Sequence, residues 1–336
     1  MALDTTGLAA TLQDRQQGYL DVISSQIPLF HELRKKGSYV GKGGGSQLEF
    51  NLETALDSNE PSFAGYDLLP VSAQDNVVTI TATWKSYYKS IAINGEEEDL
   101  NNAKTVFKLL AQKEKNALTS MHQQMNDHFY LDGTGNSSKR ITGLAAIIAQ
   151  DPTTGTLFGI NRATAGNEYF RNQNLDSNEG YWDRSDGIML MREDMDDLYI
   201  RCGRQAAGPR SKKFPDLILC TEDYWRYYSE GASRLGQRIV NKSEADVGFT
   251  ALSFRNATLI HDEDMPDDAG SDSQAYFINT EFLKLYYVKA ANFKVTDRIH
   301  AETQDAFSKR IIWRGELVST NPQKLGIHEG VAAAQD

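Results

Sequence analysis

A chain of 336 residues that is 40% hydrophobic and 24% charged has a globular composition and can bury a sizeable core, in two domains or one elaborate one. Its formal net charge of -11, from 35 basic and 46 acidic residues, argues against a broad phosphate footprint, which needs clustered Lys and Arg. The two cysteines, Cys202 and Cys220, form no CxxC pair and read as small buried hydrophobes of a reducing compartment; no stretch nears the ~20 apolar residues of a membrane span.

In chain order, residues 1–40 read as an arm. Leu8, Leu12, Tyr19, Val22 and Ile23 give a weak helical stripe, and a better short helix follows with Pro28 as its first residue. Leu29, Phe30 and Leu33 share one face of that helix, Arg34 to Lys36 fill its last turn, and Gly37 ends it. The glycines between Gly41 and Ser46 match no GxxxxGK[ST] pattern and follow no apolar strand, so a flexible hinge is expected there rather than a phosphate loop. Leu48, Phe50 and Leu52 alternate with polar residues as one half-exposed strand, and Val78, Ile80, Ala82 and Trp84 as a second. Between them lies a long loop, Asp57 to Asn76, rich in turn formers yet carrying Phe63, Tyr66, Leu68 and Leu69; loops of that length are usually functional. From Gly43 to Trp84 there are six carboxylates, Glu49, Glu53, Asp57, Glu60, Asp67 and Asp75, and no Lys or Arg. Apolar groups set among those acids make Glu60, Phe63, Tyr66, Asp67, Leu68 and Leu69 candidates for contact with a partner.

Gly95 to Leu131 is the dominant element. Leu100, Ala103, Phe107, Leu110, Ala117, Met121, Met125 and Phe129 recur at helical spacing, and Glu96 to Asp99 crowd the start, where the helix dipole favours negative charge. At ~1.5 Å per residue this is a rod of roughly 50 Å. A turn cluster, Asp132–Asn136, and a short apolar run, Leu144–Ile148, follow. Residues 151–187 suit extended loops. Met191, Met195, Leu198, Tyr199 and Cys202 mark a second amphipathic helix that stops by Gly208-Pro209. Pro215–Cys220 reads as a buried strand, with Thr221 capping a helix over Glu222–Ser229. Short strands are expected at Leu252–His261, Ala275–Ile278, Leu283–Val288 and Phe293–Thr296. The last strong element is Phe307–Thr320, with Ile311, Trp313 and Leu317 on one face and Arg310, Arg314 and Glu316 on the other. Strands and helices in this order make an α+β protein without βαβ regularity.

No pattern carries chemistry. GxSxG, HExxH, a dinucleotide-binding glycine motif and paired metal cysteines are all missing from the sequence. His122 and His128, six apart on a helix, lie on different faces and cannot share a metal. The acidic run from His261 to Asp268 matches no calcium loop and reads as a solvated turn, and the Glu193/Asp194 and Asp196/Asp197 pairs read as helix-terminus charges. Catalytic, cofactor and metal residues are therefore assigned to none.

The order of elements resembles the tailed-phage major capsid proteins of the Hong Kong 97-type fold, over nearly the whole chain. The residues that carry the resemblance are Asp132-Gly-Thr-Gly135 with Gly143-Leu144, Pro152-Thr-Thr-Gly155, Gly159-Ile-Asn-Arg162-Ala-Thr164 and Phe170-Arg-Asn172. The strand–helix unit Pro215–Tyr228 and the segments Phe254–Ile260 and Ala275–Thr280 fit the family's axial domain. The resemblance implies an N-terminal arm at 1–40 and an extended β-hairpin loop at 41–94. It further implies a peripheral domain at 95–184 with a spine helix at 97–131, an axial domain at 185–298, a return strand of the peripheral domain at 299–330 and a flexible tail at 331–336.

Pentamers and hexamers would close an icosahedral head around double-stranded DNA, held without sequence-specific binding. Partners would be a scaffolding protein, a portal and decoration proteins, with no membrane; the subunit would be made in the host cytoplasm and reside in the virion. No scaffold-sized extension precedes the arm, so a separate scaffold or a removed propeptide is expected. Well-known members crosslink a loop Lys to a neighbour's Asn, but no Lys lies between Lys42 and Lys85 here, so no such crosslink is expected. The acidic loop would instead meet basic residues of a neighbouring spine helix, Lys104, Lys108 or Lys115. Competing expectations are an encapsulin shell, an acidic intracellular hydrolase, and a phage tail or decoration protein.

Overall fold

The structure, a computed structural model, describes residues 27–54, 62, 64–65, 77–95, 103–177, 187–204, 214–234, 251–267, 273–300 and 305–331, with only the backbone at 103–109, 187–190, 231–234 and 251. The first part of the described chain contains α1 (Pro28–Lys35), β1 (Tyr39–Lys42), β2 (Gln47–Glu53), β3 (Val77–Thr83), β4 (Lys85–Asn94), α2 (Ala103–Tyr130) and α3 (Leu144–Ile147). Next come β5 (Thr156–Leu157), β6 (Ile160–Asn161), β7 (Gln173–Asp176), α4 (Gly187–Gly203), β8 (Leu217–Cys220) and α5 (Glu222–Arg234). The last part contains β9 (Ala251–Phe254), β10 (Ala257–His261), β11 (Ser273–Ile278), β12 (Leu283–Val288), β13 (Lys294–Val295), β14 (Ile299–His300), β15 (Ala306–Ser319) and β16 (Gly326–Val331). No described helix is long and apolar enough to cross a membrane.

β15 is the axis of the first sheet. Its residues 306–315 pair antiparallel with β4, from Ala306↔Asn94 to Gly315↔Lys85. The same stretch also pairs with β13 and β14, through Ile312↔Lys294 and Ser308↔Ile299, so those two strands occupy its other edge. β12 continues that edge through Leu317↔Leu285, and β1 lies parallel outside β12. Odd-numbered residues of β15 from Phe307 to Leu317 point inward, as the 2-residue strand period requires. Trp313 and Ile311 are fully buried, with Tyr87 5.9 Å and Phe293 6.2 Å from the Trp313 ring.

The long helix α2 packs on this inner face. Its 28 described residues span about 42 Å at ~1.5 Å each, and Leu110, Leu118, Met121, Met125 and Phe129 are buried in the same core as Ile311 and Trp313. The acidic start, Glu96–Asp99, lies outside the described residues. The stripe is not wholly apolar: Glu114, His122 and Asn126 are buried with it. Glu114 meets Lys309, another inward residue of β15, at 3.6 Å, and both are almost fully buried. His128, on a different face from His122, lies 3.0 Å from the Tyr87 hydroxyl.

The second sheet has the order β7-β16-β11-β8-β10-β9. β8 and β11 are buried at every position because both faces are covered. Ile218, Cys220, Ala275 and Phe277 face the helices α4 and α5, together with Met191, Met195, Leu198 and Tyr224. Leu217, Leu219, Tyr276 and Ile278 face the main core. The methionine stripe of α4 is therefore core, and both cysteines are buried and free.

Several expectations need correction. Gly41 and Lys42, expected to begin a flexible hinge, instead end strand β1, held against β12. Residues 85–94, assigned to the loop, form β4 of the first sheet. β7, assigned with the spine-helix region, and β16, assigned with the return strand, both belong to the second sheet; β12 to β14, assigned with the axial block, belong to the first. Residue 331, placed in the tail, ends β16. These strands are buried or amphipathic as expected, but periodicity reveals which face is inward and not which distant strand is the partner. Leu252–His261 is a hairpin rather than one strand, turned at Arg255 with φ 50°. The Thr221 hydroxyl precedes α5 but makes no hydrogen bond.

Candidate functional site

Buried polar clusters are the first place to look for chemistry, and each has a structural explanation. Ser177 Oγ lies 2.7 Å from Nε2 of His328 and donates to Asp194 Oδ2 at 3.1 Å, an arrangement that suggests a nucleophilic triad. Such a triad places serine and carboxylate on opposite ring nitrogens and leaves Oγ open to substrate. Here Asp194 is on the serine side, 3.9 Å from Nε2, while Nδ1 meets the Tyr224 hydroxyl at 2.8 Å. Ser177 and His328 are 1% and 0% exposed. Burial holds the imidazole neutral by pushing its pKa down to about 3. The cluster ties β16 to α4, α5 and the end of β7.

Two acidic groups expected in solvent are inside. Asp262 is buried, accepting from Asn126 Nδ2 at 3.0 and 3.1 Å and from the Tyr130 hydroxyl at 2.6 Å. The run His261–Asp268 is thus no solvated turn at its start: Asp262 anchors it to the C-terminal turn of α2. Glu316, expected on the polar face of β15, is also buried. It lies under the Ile141–Thr142 segment and accepts from the Thr142 amide at 2.8 Å. Burial pushes its pKa up to about 7, with the amide donors and Lys85 opposing. Among the described residues no group of three or more His, Cys, Asp or Glu side chains has a metal-holding arrangement.

The outward surfaces are more informative. In the β2–β3 ladder, Leu48↔Ala82, Phe50↔Ile80 and Leu52↔Val78 share the inner face, as the alternation predicts. That face packs on its own subunit: Ile80 is fully buried, Phe50 meets the Tyr286 ring at 5.1 Å, and the Thr81 amide donates to Phe158 O at 3.2 Å. Glu49, Asn51, Glu53, Thr79, Thr81 and Thr83 are exposed on the other face. Glu60, Phe63, Tyr66, Asp67, Leu68 and Leu69 lie outside the described residues. So do the side chains of Lys104 and Lys108; Lys115 is exposed on α2.

Sequence reasoning missed one basic surface. Tyr88 is 68% exposed on β4, opposite Ile312 of β15, which is in turn opposite Lys294 of β13. Arg310 and Arg314 flank Ile312 on the same face, both exposed, opposite Ser90 and Ser86. The alternation of Arg310, Ile312 and Arg314 was visible in the sequence; the register that brings Tyr88 and Lys294 beside them was not.

No protein-family model and no curated protein sequence matches the chain. Solved structures do. The capsid of cyanophage A-1(L) aligns over 88% of this chain and 90% of its own, with TM-score 0.61 and 13% identity. The capsid of the Myoviridae phage XM1 aligns over 88% and 91%, with TM-score 0.56 and 10% identity. The SrpI encapsulin of Synechococcus elongatus aligns over 77% and 79%, with TM-score 0.52 and 12% identity. The chain therefore has the Hong Kong 97-type fold of these proteins.

Proposed function

We propose that this chain is the major capsid protein of a tailed phage, assembling as pentamers and hexamers into an icosahedral head around double-stranded DNA. The observation that carries the reading is the fold likeness to phage capsids along 88% of the chain. The buried Ser177–His328 cluster, sealed from solvent, supports a structural role over the hydrolase alternative. A net charge of -11 suits a lining that holds packaged DNA without gripping its phosphates. The subunit is made in the host cytoplasm and resides in the virion, with a scaffold, a portal and decoration proteins as partners. In this reading α2 is the spine of the subunit, and the segment carrying Glu60, Phe63, Tyr66, Asp67, Leu68 and Leu69 meets neighbouring copies.

An encapsulin-type shell is the second reading, favoured by the likeness to the SrpI encapsulin. Nuclease treatment followed by extraction separates the two: particles purified from their native source yield protected double-stranded DNA if the first reading holds, and a protein cargo without DNA if the second does. A species that sediments only as a monomer, with or without a scaffold, would sink both.

A further inference from the structure

β15 runs on past one of its partners. β4 stops pairing with it at Lys85↔Gly315, whereas β15 continues to Ser319 with β12 alone paired to its last residues. The edge left open at residues 316 and 317 is closed by a side chain. Glu316 Oε1 accepts the Thr142 amide at 2.8 Å and the Leu317 amide at 3.2 Å, so the carboxyl stands where a strand would. Glu316 is 1% exposed, and its Oε2 has no hydrogen-bond partner among the described residues. Lys85, whose charge reaches it, donates to the Ser138 carbonyl at 2.7 Å.

The segment that crosses this edge, residues 132–143, is held on by side chains. Lys85 donates to Ser138 O, the Tyr87 hydroxyl accepts from the Ile141 amide at 2.9 Å, and Glu316 accepts from Thr142. Among the described residues no backbone–backbone hydrogen bond ties 132–142 to the first sheet. The segment is also strained. Asn136, Ser137 and Ser138 have φ of 53°, 56° and 59°, three successive residues with side chains in a left-handed region that is unfavourable for each of them. A strained segment fastened by three side chains, with an ionisable group beneath it, is poised to move when that group changes charge.

We infer that Glu316 and residues 132–143 form a pH-gated strap, fastened to the sheet edge while the carboxyl is neutral and lifted from it when the carboxyl ionises. A closed strap would bury the anion with one oxygen unsatisfied, and opening gives that oxygen water. The two amide donors and Lys85 favour the anion, but burial outweighs them and raises the pKa to about 7. The other charged and titratable groups around the clasp are Tyr87 of β4, Tyr286 opposite Glu316 on β12 with Lys42 over its ring, Arg314 on β15 and Arg140 of the strap. Tyrosine, lysine and arginine keep one charge state between pH 5 and 7.5. On α2, His128 reaches the strap through Tyr87. Burial and Arg140 lower its pKa, so its titration would loosen the strap toward acid, the opposite direction. The strap belongs to the single subunit and does not depend on the shell reading.

Hydrogen exchange of the full chain, read by mass spectrometry from pH 5 to 7.5 and corrected for the intrinsic pH dependence of amide exchange, tests the strap. A carboxyl that titrates at 4.5 when open and at about 7 when closed makes opening of 132–143 about fiftyfold more frequent at pH 7.5 than at pH 5. That opening should exceed the opening of the buried strand β11 at every pH, because it is local. Glu316→Gln keeps an acceptor for the Thr142 amide but cannot ionise, so its strap should show no rise with pH. A wild-type strap whose opening does not rise with pH would overturn the inference, as would a rise that persists in Glu316→Gln. Exchange of 132–143 in step with β11 would make the event global unfolding and overturn it as well. Should Glu316→Gln fail to fold, the wild-type profile decides alone, and opening that increases toward acid would assign the effect to His128 instead.

Discussion

Replacing Lys309 by Met tests how α2 is fastened to β15. The Lys309 ammonium and the Glu114 carboxylate lie 3.6 Å apart, 4% and 3% exposed, between the inner face of β15 and the long helix. Desolvation lowers the lysine pKa, with Glu114 working against it and the nearby Arg298 adding to the lowering. Removing one member of a buried pair typically costs about 3–5 kcal/mol, because the remaining charge keeps its desolvation penalty. Arg298 still offers Glu114 some positive potential, so the lower end, about 3 kcal/mol, is expected for Lys309→Met. Exchanging both partners, Lys309→Met with Glu114→Leu, should recover most of that loss, since an apolar pair of similar volume has no charge to desolvate. Urea unfolding of the unassembled subunits, followed by far-ultraviolet circular dichroism, reads both effects. A single substitution costing under about 1 kcal/mol, or a double variant as unstable as the sum of the singles, would refute a buried pair at this junction.

The pH dependence has two opposed limbs. His328 and His122, held down to about 3 and about 4 in the fold, stay neutral while the unfolded chain protonates near 6.5. Their contribution is thus present above pH 6.5 and falls as pH drops toward those folded values, by about 4–5 kcal/mol for His328 alone at ~1.4 kcal/mol per pH step. Glu316, raised from 4.5 to about 7, acts in the other direction: its contribution is complete below pH 4.5 and is lost as pH rises through 7. Glu316→Gln should flatten the neutral limb of a melting-temperature profile, and an unchanged slope there would contradict the burial of its carboxyl. Gly143→Ala should destabilise the subunit by about 1–3 kcal/mol, since a Cβ there meets the Leu131 carbonyl and comes within 2.6 Å of His128 O and 2.7 Å of Phe129 O; a wild-type melting temperature would argue against that close approach. Mature particles should run as a single subunit band on a denaturing gel, because no Lys lies between Lys42 and Lys85; a ladder of covalent oligomers would be inconsistent with this.

What the sequence made legible was local. Pro28, the Leu29–Leu33 face and Gly37 (φ 76°) delimit α1 without reference to any distant residue. The alternation in β2, β3 and β15 gave their inward faces, while the register of β2 against β3 is seen only in the folded ladder, since a shift of two residues preserves the same alternation. The glycines that carried the family resemblance prove to have steric work: Gly133 has φ 80°, and Gly143 sits against the end of α2. What stayed hidden depends on partners far along the chain. Asp262 looks solvated until Asn126 and Tyr130, 136 and 132 residues away, are folded against it. Glu316 sits correctly on the face opposite Trp313, but the strand period says nothing of the Ile141–Thr142 segment that covers it. β4 escaped notice because Ser86, Tyr88 and Ser90 dilute the apolar signal of Ile91 and Ile93, and only pairing with β15 makes the stretch a strand. The basic face is legible only once β4, β13 and β15 are aligned.

In the proposed function this chain builds a closed shell. Electron microscopy of the purified full-length protein, expressed with and without a scaffolding protein, tests it most directly. Hollow particles with icosahedral symmetry are expected, built from pentamers and hexamers in which the hairpin of each copy overlies its neighbour. Monodisperse small oligomers under every condition, with no closed particle, would contradict it.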